Sequence, residues 1–475
     1  MENHKLSQLT DKTYTTILAM AKEALANEIQ KVLAGEIATA PLFHRVAVPI
    51  LSSSSSSETI SPLNWLSAQE NRQKVYWGDR DNLFESATIG ECASFEIENL
   101  DERHQLVGKI EKLLGQSSDN IRFYGGMRFP SDSESGSNSE EWQAFGAAKF
   151  VLPRFELIRE TGQTLFVCNL NSQTDRAAAD KILSELESVR CELSGSEAAA
   201  QEFEVRTDLP LFDGWQSNVR AILDDFTRSK IEKIVLARRS IFEFKDNCNA
   251  FAIMKRLSKT TPNCFHFLFQ PAKDISFLGA SPERLYKRID KSIESEAVAG
   301  TRRRGIDEFE DRNLGDELLS DDKEKREHQY VVQNIKAALE SVCEKIEFDK
   351  TESLFKLARV QHLVTRFSGS LKENVTDSRI LNLLHPTAAV GGFPSELAQK
   401  RISEYEPFDR GWYAGAIGWI GRDSAEFAVG IRSGLVKGKK LSLYSGAGIV
   451  KGSTPQREWD EIESKIGSFL NAVTG

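Results

Sequence analysis

The chain has 475 residues and a formal charge of −9, with acidic and basic side chains mixed along its length and no basic run longer than 302–304. That argues against the basic stripe of a nucleic-acid-binding surface. The six cysteines are scattered without a CxxC pair or a Cys/His cluster, which excludes a zinc–thiolate centre and fits free thiols in a reducing compartment.

No apolar stretch approaches the ~20 residues that cross a bilayer. The opening MENHKLSQLTDK has no apolar signal core. A soluble, cytoplasmic protein is expected, with no nucleic acid or membrane as partner and a monomeric or weakly dimeric state.

In chain order, residues 12–35 show helical periodicity (Ile17, Leu18, Ala21, Leu25, Ile29, Val32). The serine run at 52–57 reads as a mobile loop. Between 72 and 170, KVYWGD, ASFEI, IRFYGGMRF, AKFVLP and TLFVCNL read as strands, with the polar segment 131–141 as an exposed loop. Residues 175–204 read as helix, followed by acidic linker sequence up to Pro210.

Further on, 214–230 and 249–258 read as helices, and IEKIVLARRSIFEF, CFHFLFQP and SFLGASPERLYKR as strands. A long helix is expected over 316–345. GWYAGAIGWIG, AEFAVGIRSGLV and LSLYSGAGIV then read as successive strands before a last helix over 455–473. Strands and helices come in runs, so an α+β, largely antiparallel architecture is expected. The expected divisions are 1–60 (helix and loop), 61–210 and 211–475, as parts of one integrated domain. The glycines of GAIGWIG and GAG do not form G-x-G-x-x-G between strand and helix, so a dinucleotide fold is not indicated.

Glu324 and Glu327 stand three apart on the expected helix 316–345, and Glu458, Glu461 and Lys465 share one face of the last helix. Two such pairs can bring four carboxylates to one point, a hard-oxygen set suited to magnesium, calcium or manganese. Taken singly, each pair equally describes a solvated helix face. A di-iron bundle would need Glu-x-x-His, and here His328 follows Glu327 directly.

Lys233 interrupts an apolar strand. It is either a water-facing edge residue or a buried amine, and an amine in low dielectric has its pKa lowered toward the range of a general base. Glu283 follows Ser281 and Pro282 at the end of a predicted strand, where both catalytic and ordinary solvated carboxylates occur.

KIVLARR, FLGASPERL, AVAGTRRRG, DDKEKREHQYVV, LHPTAAVGGFP, YAGAIGWIG, VGIRSGL, YSGAGIV and EWDEIESK, in this order from about 215 to 473, resemble the chorismate-binding family that includes anthranilate synthase component I, salicylate synthase and isochorismate synthase. VYWGDRD, FYGGMRF and LPRFEL resemble the N-terminal part of isochorismate synthases more loosely. The resemblance implies two packed antiparallel sheets flanked by helices, with the active site in the cleft between them.

It further implies Mg²⁺ held directly by Glu327 and Glu461, with Glu324 and Glu458 as an outer pair. Lys233 matches the base and Glu283 the acid. Arg432 and Lys465 match residues that hold substrate carboxylates. Gly300, Thr301, Gly446 and Gly448 match backbone or hydroxyl contacts, and Tyr413 a pocket-lining strand residue.

The activity implied is reversible conversion of chorismate to isochorismate, with lysine at 233 favouring water over ammonia as nucleophile. Salicylate synthase has the same lysine and remains an alternative. An ammonia-using synthase subunit, paired with a separate amidotransferase, is the other. KVYWGDRD resembles the quinone-pathway enzymes more than those of siderophore or salicylate synthesis.

Overall fold

The computed structural model describes residues 2–35, 41–50, 60–70, 73–130, 139–193 and 200–474, and of 2–12 only the helical backbone. The serine run 52–57 and most of the polar segment 131–141 lie outside the described residues. Among the described residues no helix is long and apolar enough to cross a membrane.

Strand pairing is antiparallel throughout and runs in two arms that meet at one pair of long strands, Phe84–Ile97 and Ala148–Glu160. One arm passes through Lys74–Gly78, Phe265–Ala272, Ile275–Ser281, Ser433–Lys437 and Lys440–Ile449 to Lys233–Phe244. The other passes through Arg122–Met127, Ala416–Gly421, Ser424–Val429, Arg284–Ile289 and Ser292–Arg303 to Val360–Leu371. Each arm therefore begins with a strand from before residue 210 and continues with strands from after it, so the two parts of the chain share one sheet. The α+β, antiparallel architecture is as expected, but pairing is continuous through the shared long strands, so the two arms are parts of one large sheet.

An aromatic cluster of Trp142, Phe145, Phe269, Phe277 and Trp412 fills the space between strands, with ring centroids 5.0–6.5 Å apart and mostly edge-to-face.

Several expected boundaries move. The helix expected over 316–345 is two helices, Glu308–Ser320 and Asp322–Val342. Asp321 breaks it: its backbone is extended and its side chain accepts from the amides of Lys323 and Glu324, an N-cap that starts a new helix just before Glu324. The chain turns to strand at Cys343–Phe348.

The helix expected over 175–204 ends at Glu187. Its acidic sequel is a strand, Phe203–Leu209, paired with Lys233–Phe244. Its alternating charged residues hide a sheet edge whose outer face is wet. A further strand, Phe43–Pro49, lies within the first sixty residues and pairs with Gln163–Asn171.

Gly418 and Gly125 face each other across neighbouring strands. A Cβ at Gly418 would stand 2.0 Å from the carbonyl oxygen of Glu426, and one at Gly125 1.9 Å from that of Lys149. Gly418→Ala should therefore cost about 3 kcal/mol or more, the upper end of overpacking effects, read as a lowered thermal midpoint in circular dichroism.

Candidate functional site

Lys233 opens its strand, and the short strand Gly392–Phe393 pairs directly over it. This cover removes the water-facing alternative: the Lys233 side chain is 0% exposed. Its Nζ lies 3.1 Å from Glu327 Oε1, an ion pair whose geometry leaves the ammonium without a directed hydrogen bond. Gly448, in the adjoining strand, makes room for this pair. A Cβ there would stand 2.1 Å from Glu327 Oε1 and 3.1 Å from Lys233 Cε.

Glu283 sits in the break between Ile275–Ser281 and Arg284–Ile289, as the proline before it suggests. It is buried, and Oε1 has no hydrogen-bond partner. Burial, and next the charge of Glu296, push its carboxyl up to about 8, against the opposing pull of Lys233, Thr387 and Lys465. At neutral pH it is mostly a neutral acid.

The four glutamates on the two helices do converge, and none of them occupies a solvated face. Glu324 and Glu458 are buried, while Glu327 and Glu461 line a cavity that Glu283 also lines. Each carboxylate has an ammonium partner: Glu327 with Lys233 at 3.1 Å, Glu461 with Lys465 at 2.6 Å, Glu458 with Lys323 at 2.9 Å, and Glu324 more loosely with the same Lys323 at 3.5 Å. Glu324 accepts from the amide of Thr301 at 3.2 Å.

That amide is presented by a bulge. Gly300, at φ +74°, is the extra residue between Ala299 and Thr301, a backbone form that glycine takes without strain. Burial, and then the neighbouring Glu327, raise Glu324 to about 7. Burial also raises Glu458, whereas at Glu461 burial is outweighed by Lys465 and Lys323, and the net shift is downward.

Lysine side chains fill the gaps between these carboxylates. Accordingly, no three His, Cys, Asp or Glu side chains among the described residues stand close enough to hold an ion. Four carboxylates face three ammonium groups, and all the oxygen donors are hard. Hard oxygen donors are the chemistry that a divalent cation such as Mg²⁺ would take, with Glu327 and Glu461 on the cavity side and Glu324 and Glu458 behind, once the lysines that now part them give way.

The remaining wall is cationic and polar. Arg432, at φ +50° between two strands, lines the cavity. Lys465 donates to the carbonyl of Gly446 at 2.9 Å. Arg432 and Lys465 also line an adjoining apolar cavity of about 280 Å³, so they stand where the two meet. Tyr413 lines the cavity and stacks on Tyr444 at 5.4 Å. It is not a strand residue as expected. It lies in the turn before Ala416–Gly421, which Gly411 at φ +52° and Ala414 at φ +59° bend inward.

The structure thus gathers Glu283, Glu327, Glu461, Gly300, Thr301, Tyr413, Arg432, Gly446, Gly448 and Lys465 around one cavity, with Lys233 reaching it through Glu327 and Glu324 and Glu458 in an adjoining pocket. Two of its polar residues, His362 and Ser445, are not among the expected site residues. His362 Nδ1 lies 3.0 Å from the Gly300 carbonyl and 3.1 Å from Thr301 Oγ1, while Nε2 is unpartnered; burial lowers it to about 3, so it is neutral. Thr387 is buried beside Glu283, outside the cavity lining, and its hydroxyl is without a well-formed hydrogen bond. The signal for His362 was a polar pair, Gln361 and His362, inside the apolar strand VQHLVTRF.

The profile of chorismate binding enzymes matches residues 41–474. Isochorismate synthase MenF of Escherichia coli (strain K12) is 31% identical over 418 residues, which cover 87% of this chain and 90% of that protein. The chloroplastic isochorismate synthase of Catharanthus roseus is 32% identical over 428 residues, covering 88% of this chain and 73% of that one. The solved structure of MenF, the menaquinone-specific isochorismate synthase from Escherichia coli, superposes with a TM-score of 0.81 at 28% identity, over 95% of this chain and 99% of the other. With the antiparallel α+β fold matched over nearly its whole length, the chain belongs to the chorismate-binding enzyme family.

Proposed function

We propose that this chain is an isochorismate synthase that converts chorismate to isochorismate, reversibly and with Mg²⁺, in quinone biosynthesis. One observation carries the reading most: a buried amine and a buried, neutral carboxylic acid, Lys233 and Glu283, serve one cavity, and neither nitrogen nor Oε1 has a directed hydrogen bond. Adding water at C2 while expelling the C4 hydroxyl needs a base and an acid. In its neutral form, rather than as the ammonium of the Glu327 ion pair, Lys233 takes the proton of the attacking water, and Glu283 gives one to the departing hydroxyl.

Chorismate is a dianion, and the site supplies cationic grips for it. The Arg432 guanidinium, which makes no ion pair among the described residues, suits a bidentate carboxylate contact. Lys465 adds a second positive charge on the same wall. Mg²⁺ held by Glu327 and Glu461, backed by Glu324 and Glu458, would neutralise the second carboxylate and fix its orientation. Gly446 and Gly448 keep the facing strand free of side chains, and Tyr413 and His362 close the wall. The names of the relatives support the isochorismate assignment, and that of the Escherichia coli structure supports the quinone pathway.

The test is incubation with chorismate, with and without excess EDTA, and chromatographic resolution of products. Isochorismate that forms only without the chelator and is not accompanied by pyruvate supports the proposal. Salicylate with pyruvate, or product only when ammonia is supplied, would overturn it.

Gly448→Ala should lower kcat by about 100-fold or more, because its Cβ displaces Glu327 from Lys233 and misplacement of about 1 Å costs that much. Its melting point should change little beside that loss. Glu283 also sets a pH limb. As a raised carboxyl it is a proton donor below about 8 and loses that role above it. The rate of isochorismate formation should therefore fall as pH rises through about 8, and Glu283→Gln should lose about 10²–10⁴-fold in kcat.

A further inference from the structure

The string VYWGDRD lies outside the cavity, yet it reaches the turn that carries Glu283. Asp79 closes the hairpin between Lys74–Gly78 and Phe84–Ile97 by accepting from the amides of Leu83 at 2.9 Å and Phe84 at 3.1 Å. This fixes the neighbouring Arg80, whose guanidinium lies against the rings of Phe265 and Phe355 at 5.4 and 5.2 Å.

Arg80 forks onto Glu296, Nη1 to Oε1 at 2.6 Å and Nη2 to Oε2 at 2.9 Å, and Nη1 also donates to the Pro282 carbonyl at 2.9 Å. Glu296 Oε1 in turn accepts from the amide of Arg284 at 2.9 Å. The Pro282 carbonyl and the Arg284 amide belong to the two peptide groups on either side of the Glu283 Cα. Both are therefore held by one bidentate ion pair, whose side chains are 12% and 4% exposed. Asp81 extends the grip with a contact to the Arg284 guanidinium at 3.3 Å.

We propose that Arg80 and Glu296 are positioning residues that hold Glu283 on its side of the cavity and tune it as a proton donor. This rests on Glu283 being the acid. Among the described cavity-lining residues the pair meets the one next to Glu283, through the Pro282 carbonyl. Glu283 itself is faced by Glu296, Lys233, Lys465, Thr387 and Tyr413, and of these only Glu296 is a fixed anion. An unneutralised Glu296 favours the protonated acid, and removal of its charge favours the carboxylate. Arg80 sets how much of that charge Glu283 feels.

The experiment compares pH profiles of kcat for isochorismate formation in Glu296→Gln, Arg80→Gln, Arg80→Lys and Glu283→Gln, with thermal melts of each. Glu296→Gln should move the alkaline limb to lower pH and Arg80→Gln should move it to higher pH. Each should reduce kcat by about 10–100-fold, with KM for chorismate little changed. Arg80→Lys keeps the charge without the fork, so kcat should fall while the limb stays.

Variants that keep kcat within about twofold of wild type, or that lose activity only in step with their melting points and with an unmoved limb, overturn the clamp. If those results come with an inactive Glu283→Gln, the acid assignment stands and the clamp alone fails. Wild-type turnover in Glu283→Gln overturns both.

Discussion

Everything at this site depends on bringing four glutamate carboxylates together in a space largely closed to water. Like charges in low dielectric repel strongly, and each buried ion forfeits hydration worth several kcal/mol. The protein answers with lysines drawn from three different elements: Lys233 from a strand, Lys323 from the start of one helix, and Lys465 from the face of another. Much of the local backbone serves this arrangement. The Asp321 cap starts a helix where Glu324 can face inward, the Gly300 bulge offers it an amide, and the bare Cα of Gly448 leaves space for Glu327. A divalent cation together with a dianionic substrate, as proposed, would add no net charge to such a site.

The same burial separates acid from base. Lys233 and Lys465 pull on Glu283, but burial and the neighbouring anion Glu296 outweigh them and favour its neutral form. Lys233 stands against a carboxylate that the proposed cation would share. Two titratable groups in differently charged surroundings can thus take opposite parts in one dehydration–hydration exchange. The proposed reaction trades one hydroxyl for another, so a symmetric need for donor and acceptor is expected in both directions.

Much of this was legible in the residues. Carboxylates three apart on helices, a lysine in an apolar strand and a glutamate after a proline are local patterns, and each allowed a bland reading that only tertiary burial could remove. Helix periodicity placed Glu324, Glu327, Glu458 and Glu461 correctly, because three-residue spacing survives a shift in helix boundaries.

What remained hidden were features created by distant strands. The cover of Gly392–Phe393 over Lys233, the strand Phe203–Leu209 beneath an acidic stretch, and the turn conformation of Tyr413 have no periodic signature. His362 was equally hard to see, since a lone histidine in a strand becomes a cavity residue only when the Gly300 bulge is laid beside it. The link from Arg80 to the Glu283 turn joins residues two hundred positions apart.

The most direct test of the account is to run the reaction in water enriched in oxygen-18 and locate the label by mass spectrometry. If Lys233 activates water for attack at C2 while Glu283 expels the original hydroxyl, the isochorismate formed carries one heavy oxygen, at C2, from the first turnover. Isochorismate that retains only the oxygens of the starting chorismate would mean that the hydroxyl migrates within the substrate, and the assignment of Lys233 and Glu283 as base and acid would be wrong.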